Sequence, residues 1–270
     1  MKRLTKYLFV LSVFFTVLAF VGMAAAHDLY LMPESFRVDD SKSFTVAIHN
    51  GDGFPDSQSA PPLQRLRDAT LHTARGTSPL QDLRVDGKRA LALADPPSPA
   101  HVLVTIVSEA RTDDMKGAEF VKYLEEEGLT GAIASLRSKG ESDKTARERY
   151  TKYAKTIVVV GAGDGGFARP AGLPIEFIPE SDPFHTKVGS SLPVKLLFRG
   201  KPAADILVTA ASTGNPKPHP IGRTDATGRV MVPIEAAGKF RLHAIQMERC
   251  AEPSAAEWES FWATLTFEVR

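Results

Sequence analysis

The 270-residue chain carries 33 Lys and Arg against 32 Asp and Glu, a formal net charge of +1, and a single cysteine. A near-neutral balance with no block of basic residues interleaved with aromatics gives no electrostatic footprint for nucleic acid. The lone Cys250 excludes an intramolecular disulfide, so stability rests on a hydrophobic core, and the length suffices for one large domain or two modest ones.

Lys2, Arg3 and Lys6 precede an apolar run from Tyr7 to Val21, and Ala24, Ala25 and Ala26 follow it. That is the three-part pattern of a secretory signal peptide, residues 1–26, cleaved after Ala26. The run is almost long enough to span a bilayer, but the Ala-rich exit favours cleavage and leaves no direct membrane span. Export removes three basic residues and no acidic one, so the mature charge is slightly negative. The expected compartment is the periplasm. The mature chain then begins at His27, which carries a free α-amine and an imidazole on one residue.

Beyond the signal, short β-strands are expected between Gly, Pro, Asn and Asp breaks. Ser43 to His49 alternates, with Phe44, Val46 and Ile48 on one face. Ala69–Thr73, Leu80–Val85, Arg89–Leu93 and His101–Glu109 continue the pattern, with Asp86-Gly87 as a hairpin turn. Asp113 to Lys155 breaks the rhythm: Phe120, Tyr123, Leu124, Leu129, Ile133 and Leu136 fall at helical spacings, and Tyr150 and Tyr153 extend them. From Leu173, strands are expected at 174–179, 191–198, 205–211, 229–234, 239–247 and 262–269. Trp258 and Trp262, four apart, are expected to share a face of a helical turn. The fold class is therefore mainly β: a β-sandwich over residues 27–165 with a helical insertion at about 113–155, then a smaller immunoglobulin-like β-sandwich over 173–270.

Gly161-Ala162-Gly163-Asp164-Gly165-Gly166 fits G-x-G-x-x-G letter for letter. A dinucleotide fingerprint must open a helix, and Phe167 to Pro174, with two prolines, cannot start one; the segment reads as an inter-domain linker and no nucleotide is expected. There is no Gly-x-Ser-x-Gly, Cys250 has no local histidine, and Glu125-Glu126-Glu127 reads as a solvated charge run. The chain is not expected to be an enzyme.

Histidine carries the sharper reading. An N-terminal His27 offers its amine and Nδ1 in one chelate ring, and a second histidine would complete a three-nitrogen site. His243 shares a strand face with Ile245 and Met247, and His49 lies beside the Gly51-Asp52-Gly53 turn. These three are the candidate metal ligands. His72, His101, His185 and His219 are scattered and read as surface or turn residues. Amine and imidazole donors suit copper, nickel, zinc and cobalt alike.

The segments AHDLYLMPESF (26–36), GDGFP (51–55), RYTKYAKTIV (149–158), PIEFIPESDPF (174–184), LPVKLLFRGKP (192–202), TDATGRV (224–230) and WESFWATLTFEV (258–269) occur in an order that resembles a family of exported bacterial proteins recorded as a domain of unknown function. Its members are often assigned as periplasmic accessory components of nickel or cobalt uptake. The resemblance implies a β-rich, two-part protein, a processed His27 and a divalent metal, nickel or cobalt being favoured over copper or zinc. The leading expectation is a non-enzymatic metal-binding protein that presents its ion to a membrane metal transporter. The alternative is an envelope adaptor whose immunoglobulin-like modules bind protein or polysaccharide without metal.

Overall fold

The computed structural model describes residues 27–40, 42–56 and 58–270; the expected signal peptide and its cleavage point lie outside them. The chain enters β1 (Leu29–Pro33) and β2 (Arg37–Val38), then β3 (Phe44–Asn50), where Phe44, Val46 and Ile48 are buried as their alternation demands. β4 (Leu66–Thr73), β5 (Gly76–Pro79), β6 (Gln81–Asp86), β7 (Arg89–Ala94), β8 (Ala100–Ser108) and β9 (Arg111–Met115) follow. Two helices, α1 (Gly117–Glu126) and α2 (Thr130–Lys139), precede the long β10 (Ala146–Val160). The remaining strands are β11 (Ile175–Pro179), β12 (Ser191–Phe198), β13 (Lys201–Pro202), β14 (Leu207–Ser212), β15 (His219–Arg223), β16 (Arg229–Pro233), β17 (Gly238–Arg249) and β18 (Trp258–Val269).

Among the described residues these strands form three sheets. The largest, ten-stranded, runs β15-β14-β17-β18-β10-β8-β4-β5, with β2 and β9 also on β10; the smaller two are β1-β3-β7-β6 and β11-β12-β13 with β16 on β12. Each smaller sheet covers part of the large one. Leu31, Val46 and Ile48 pack on Val102, Val104 and Val158 at one end, and Phe177, Leu196 and Val232 pack on Leu242, Leu265 and Phe267 at the other. Burying each such side chain contributes roughly 1.5–3 kcal/mol. The mainly β class with a helical insertion is what the alternation predicted.

Residues 27–165 and 173–270 share the large sheet, because β10 pairs in parallel with β18 from Glu148↔Trp258 to Thr156↔Thr266. A buried ion pair adds to this junction. The Lys155 ammonium donates to Glu176 Oε2 at 2.7 Å, and the Glu176 carboxylate also accepts from the backbone N–H groups of Ala171 and Gly172, both at 2.9 Å. Lys155 is 1% and Glu176 3% exposed.

The helical insertion is narrower than 113–155. Asp143 to Lys155, expected to continue it, is strand from Ala146 onward. Tyr150 and Tyr153, three apart, mimicked a helical face but lie on opposite faces of β10: Tyr150 packs with Trp262 beneath the helices, and Tyr153 stacks on Phe261 at 6.3 Å. Trp258 and Trp262 also belong to a strand, β18, rather than a helical turn. Among the described residues no helix is long and apolar enough to cross a membrane.

Candidate functional site

The start of the described chain is held in place by its backbone. Thr264 Oγ1 donates to the Leu29 carbonyl at 2.7 Å and Thr266 Oγ1 to the Leu31 carbonyl at 2.6 Å, so β1 lies across the middle of β18. His27 and Asp28 are thereby delivered to β17. On that strand the period of two puts Arg241, His243, Ile245 and Met247 on one face. Ile245 and Met247 pack under α1 and α2, which leaves Arg241 and His243 beneath Asp28.

Asp28 is the hub. Its carboxylate lies 3.3 Å from Arg241 Nη2 and 3.6 Å from His243 Nδ1, and all three residues are buried. Arg241 also donates to the carbonyls of Gly51 and Asp52 and lies over the Tyr30 ring, 5.0 Å from its centroid. His27 Nδ1 hydrogen-bonds Asp52 Oδ2 at 3.2 Å, and the Lys152 ammonium donates to the His27 carbonyl. Lys152 sits over the rings of Tyr150 and Trp262, and burial pulls its pKa down to about 8. Glu127, at the end of α1, completes the group: burial raises its carboxyl pKa, the His243 charge opposes that rise, and Asp28 and Asp52 add to it.

His243 stacks on Trp262 at 5.6 Å and 20°. Its Nδ1 faces Asp28, and its buried Nε2 has no hydrogen-bond partner among the described residues. A further layer lies behind Trp262. Trp262 Nε1 donates to Ser260 Oγ at 2.9 Å, while Ser260 and Tyr123 both donate to Glu148, whose carboxyl burial pushes up to about 7. Asp28, Ser260 and Glu148 were not singled out in the sequence, although Trp262 and Tyr123 were. Asp28 had a signal, adjacency to His27; Glu148 stood in a stretch misread as helix.

His27 and His243 thus converge on one cluster, and His49 stands apart from it. The His49 ring stacks on Tyr30 at 4.9 Å and lines a separate cleft of ≈ 490 Å³ with Asp56 and Arg89. Burial, aided by the Arg89 charge, holds its pKa down at about 4. Among the described residues no three His, Cys, Asp or Glu side chains already stand in a group able to hold a metal ion. The nucleotide-like glycine loop has a structural task. Asp164 N and Gly165 N donate to His101 Nδ1, both at 3.0 Å, and Gly163 takes φ +72° where a Cβ would come within 2.4 Å of the His101 ring. His101, expected at the surface, is therefore a buried residue clasped by that loop.

The chain is similar to the D0-D1 domain of intimin, at 13% identity over 88% of this chain and 96% of that one with a TM-score of 0.22. It is similar also to FdeC, an Escherichia coli adhesin, at 13% identity over 91% of this chain and 65% of that one with a TM-score of 0.25. A third similarity is to SGBP-B of a Bacteroides ovatus mixed-linkage glucan utilization locus, at 10% identity over 92% and 46% with a TM-score of 0.21. The chain spans just under two thirds of the FdeC chain and under half of the SGBP-B chain. No curated protein matches it. Residues 24–248 match the family model described as Domain of unknown function (DUF4198), and the chain belongs to that family.

Proposed function

We propose that the mature chain is a periplasmic, non-enzymatic protein that binds one divalent transition-metal ion through the His27 amine and ring together with His243, and passes it to a membrane uptake system. The observation that carries this reading is the His243 ring. A histidine ligand characteristically turns one ring nitrogen toward a carboxylate, which sets the tautomer and leaves the other lone pair for the metal. His243 has Nδ1 facing Asp28, the residue next to His27 in the chain, and a buried Nε2 without a partner among the described residues. An unsatisfied buried ring nitrogen costs on the order of 1–3 kcal/mol, which metal ligation would offset. Cleavage after Ala26 would supply the missing third donor as an amine. Asp52, now bonded to His27 Nδ1, would give up that hydrogen bond or join the ligand set. The donor set suits nickel and cobalt, favoured by the resemblance to uptake components, as well as copper and zinc.

Metal content and calorimetric titration of the exported, cleaved protein test the reading. One equivalent of Ni(II), Co(II), Cu(II) or Zn(II) is expected to bind, weakened at least tenfold by one extra residue before His27 and by His243→Ala. His49→Ala, His185→Ala and His219→Ala are expected to leave affinity unchanged. Equal affinity with and without the extension would overturn the N-terminal site, and no binding at all would favour the metal-free adaptor.

A further inference from the structure

A cleft of ≈ 310 Å³ opens beside His27, and its charged lining is not balanced from within. Arg65, Arg111 and Lys152 contribute three cations from three different elements: the turn before β4, the start of β9, and β10. Arg111 is the direct neighbour of Tyr150 across the β9–β10 ladder, and Lys152 follows Tyr150 on the same face. Burial depresses the Lys152 pKa, the Asp28 and Asp52 charges oppose that, and the Arg111 charge adds to it. Among the described residues neither Arg65 nor Arg111 has an ion-pair partner. Of the two acids of the cleft, Glu109 is paired with Arg67 at 3.0 Å, and Asp113, which accepts from the Tyr150 hydroxyl, keeps its charge. Three cations around one unpaired carboxylate leave an excess of positive charge that a bound anion offsets.

We propose that this cleft is a binding site for a small dicarboxylate. Guanidinium forks match carboxylates through paired N–H···O bonds, and two forks on separate elements call for two anionic groups spaced across the cleft rather than one compact anion. The Lys152 ammonium donates to the His27 carbonyl and keeps two further protons for the ligand. The cleft volume is at the small end of ligand sites, which suits a short carbon chain. The Tyr150 ring offers that chain a flat wall, with Pro61 and Pro62 also lining the site. This proposal goes beyond metal binding and stands without it.

The test is calorimetric titration of the cleaved protein, freed of metal by chelating resin and held at low ionic strength, with succinate, glutarate, acetate and inorganic phosphate. Saturable one-to-one binding of succinate or glutarate is expected, at least tenfold tighter than acetate or phosphate. Arg65→Gln and Arg111→Gln are each expected to weaken it at least tenfold without lowering the thermal midpoint, since among the described residues neither side chain holds another in place. No saturable dicarboxylate binding would overturn the proposal, as would binding that ignores both substitutions or a preference for phosphate. Because this titration is metal-free, its failure is distinguishable from failure of the His27 and His243 reading.

Discussion

Replacing Glu176 with Gln would strand the Lys155 ammonium, which is 1% exposed and has the Glu176 carboxylate 2.7 Å away as its counter-charge. Removing one member of a buried ion pair costs about 3–5 kcal/mol, because the remaining charge stays desolvated. Lys155 has one escape, release of its proton. From a reference pKa of about 10.4, that release costs about 4.6 kcal/mol at pH 7, at 1.36 kcal/mol per unit, and so caps the damage. Urea unfolding at pH 7 is therefore expected to show Glu176→Gln less stable by about 3–5 kcal/mol. The loss should shrink by up to about 1.4 kcal/mol per unit as pH is raised, since the neutral amine becomes easier to reach. Lys155→Met combined with Glu176→Gln leaves no charge behind and should recover at least half of the loss. A single variant losing less than about 1 kcal/mol, or a double variant no better than the single, would refute the idea that an uncompensated ammonium sets the cost.

Two further outcomes follow from other buried groups. Gly163→Ala must place a Cβ against the His101 ring at a positive φ, whereas Gly172→Ala at φ +78° meets nothing. The first should cost at least about 1 kcal/mol more than the second, whose penalty is the left-handed backbone alone at about 1–2 kcal/mol, and equal thermal midpoints would disprove the clasp. His49 has its pKa lowered in the folded state to about 4, against a reference of about 6.5, so its contribution is intact above pH 6.5 and is lost as pH falls from there toward 4. Over that window the loss reaches about 3.4 kcal/mol, and the pH slope of stability should be flatter in His49→Gln by about one proton; identical slopes would count against a neutral buried ring.

The strands were legible wherever alternation met a one-sided core. In β3 the apolar residues Phe44, Val46 and Ile48 point inward as written, and Ser191–Phe198 is the strand expected there. The helices were legible for the same reason at another period: α1 buries Phe120 and Leu124, α2 buries Leu136, and Leu129 is buried just before α2. Misreading began where the buried face of a strand is itself polar. In the first half of β10 every second residue, Ala146, Glu148, Tyr150 and Lys152, is buried, but Glu148 and Lys152 hide that period of two, so Tyr150 and Tyr153 were free to imitate a helix. Trp258 and Trp262 were ambiguous in principle, because a spacing of four shares a face in either structure. That His27 and His243 come close was legible by chemistry alone, the one as the expected N-terminus and the other as a polar residue on an apolar face. The contacts around Asp28, Lys152 and Glu127 were not, since they depend on β1 crossing β18, a pairing of segments 235 residues apart that no local pattern encodes.

That crossing also shapes how the chain reaches its fold. β18 lies between β17 and β10 at the centre of the largest sheet, and β1 rests on it. Until residues 258–269 are available, β10 lacks a neighbour along much of its length and the first strand has no seat. Contacts between such distant segments must meet the full cost of loop closure before any reward, so folding belongs in the slow, milliseconds-and-longer range of β proteins. Through that interval the open edges of β10 and β17 are templates for pairing with other chains. Cells making this protein in quantity should therefore show aggregation that depends on chain concentration during folding and vanishes once β18 is in place.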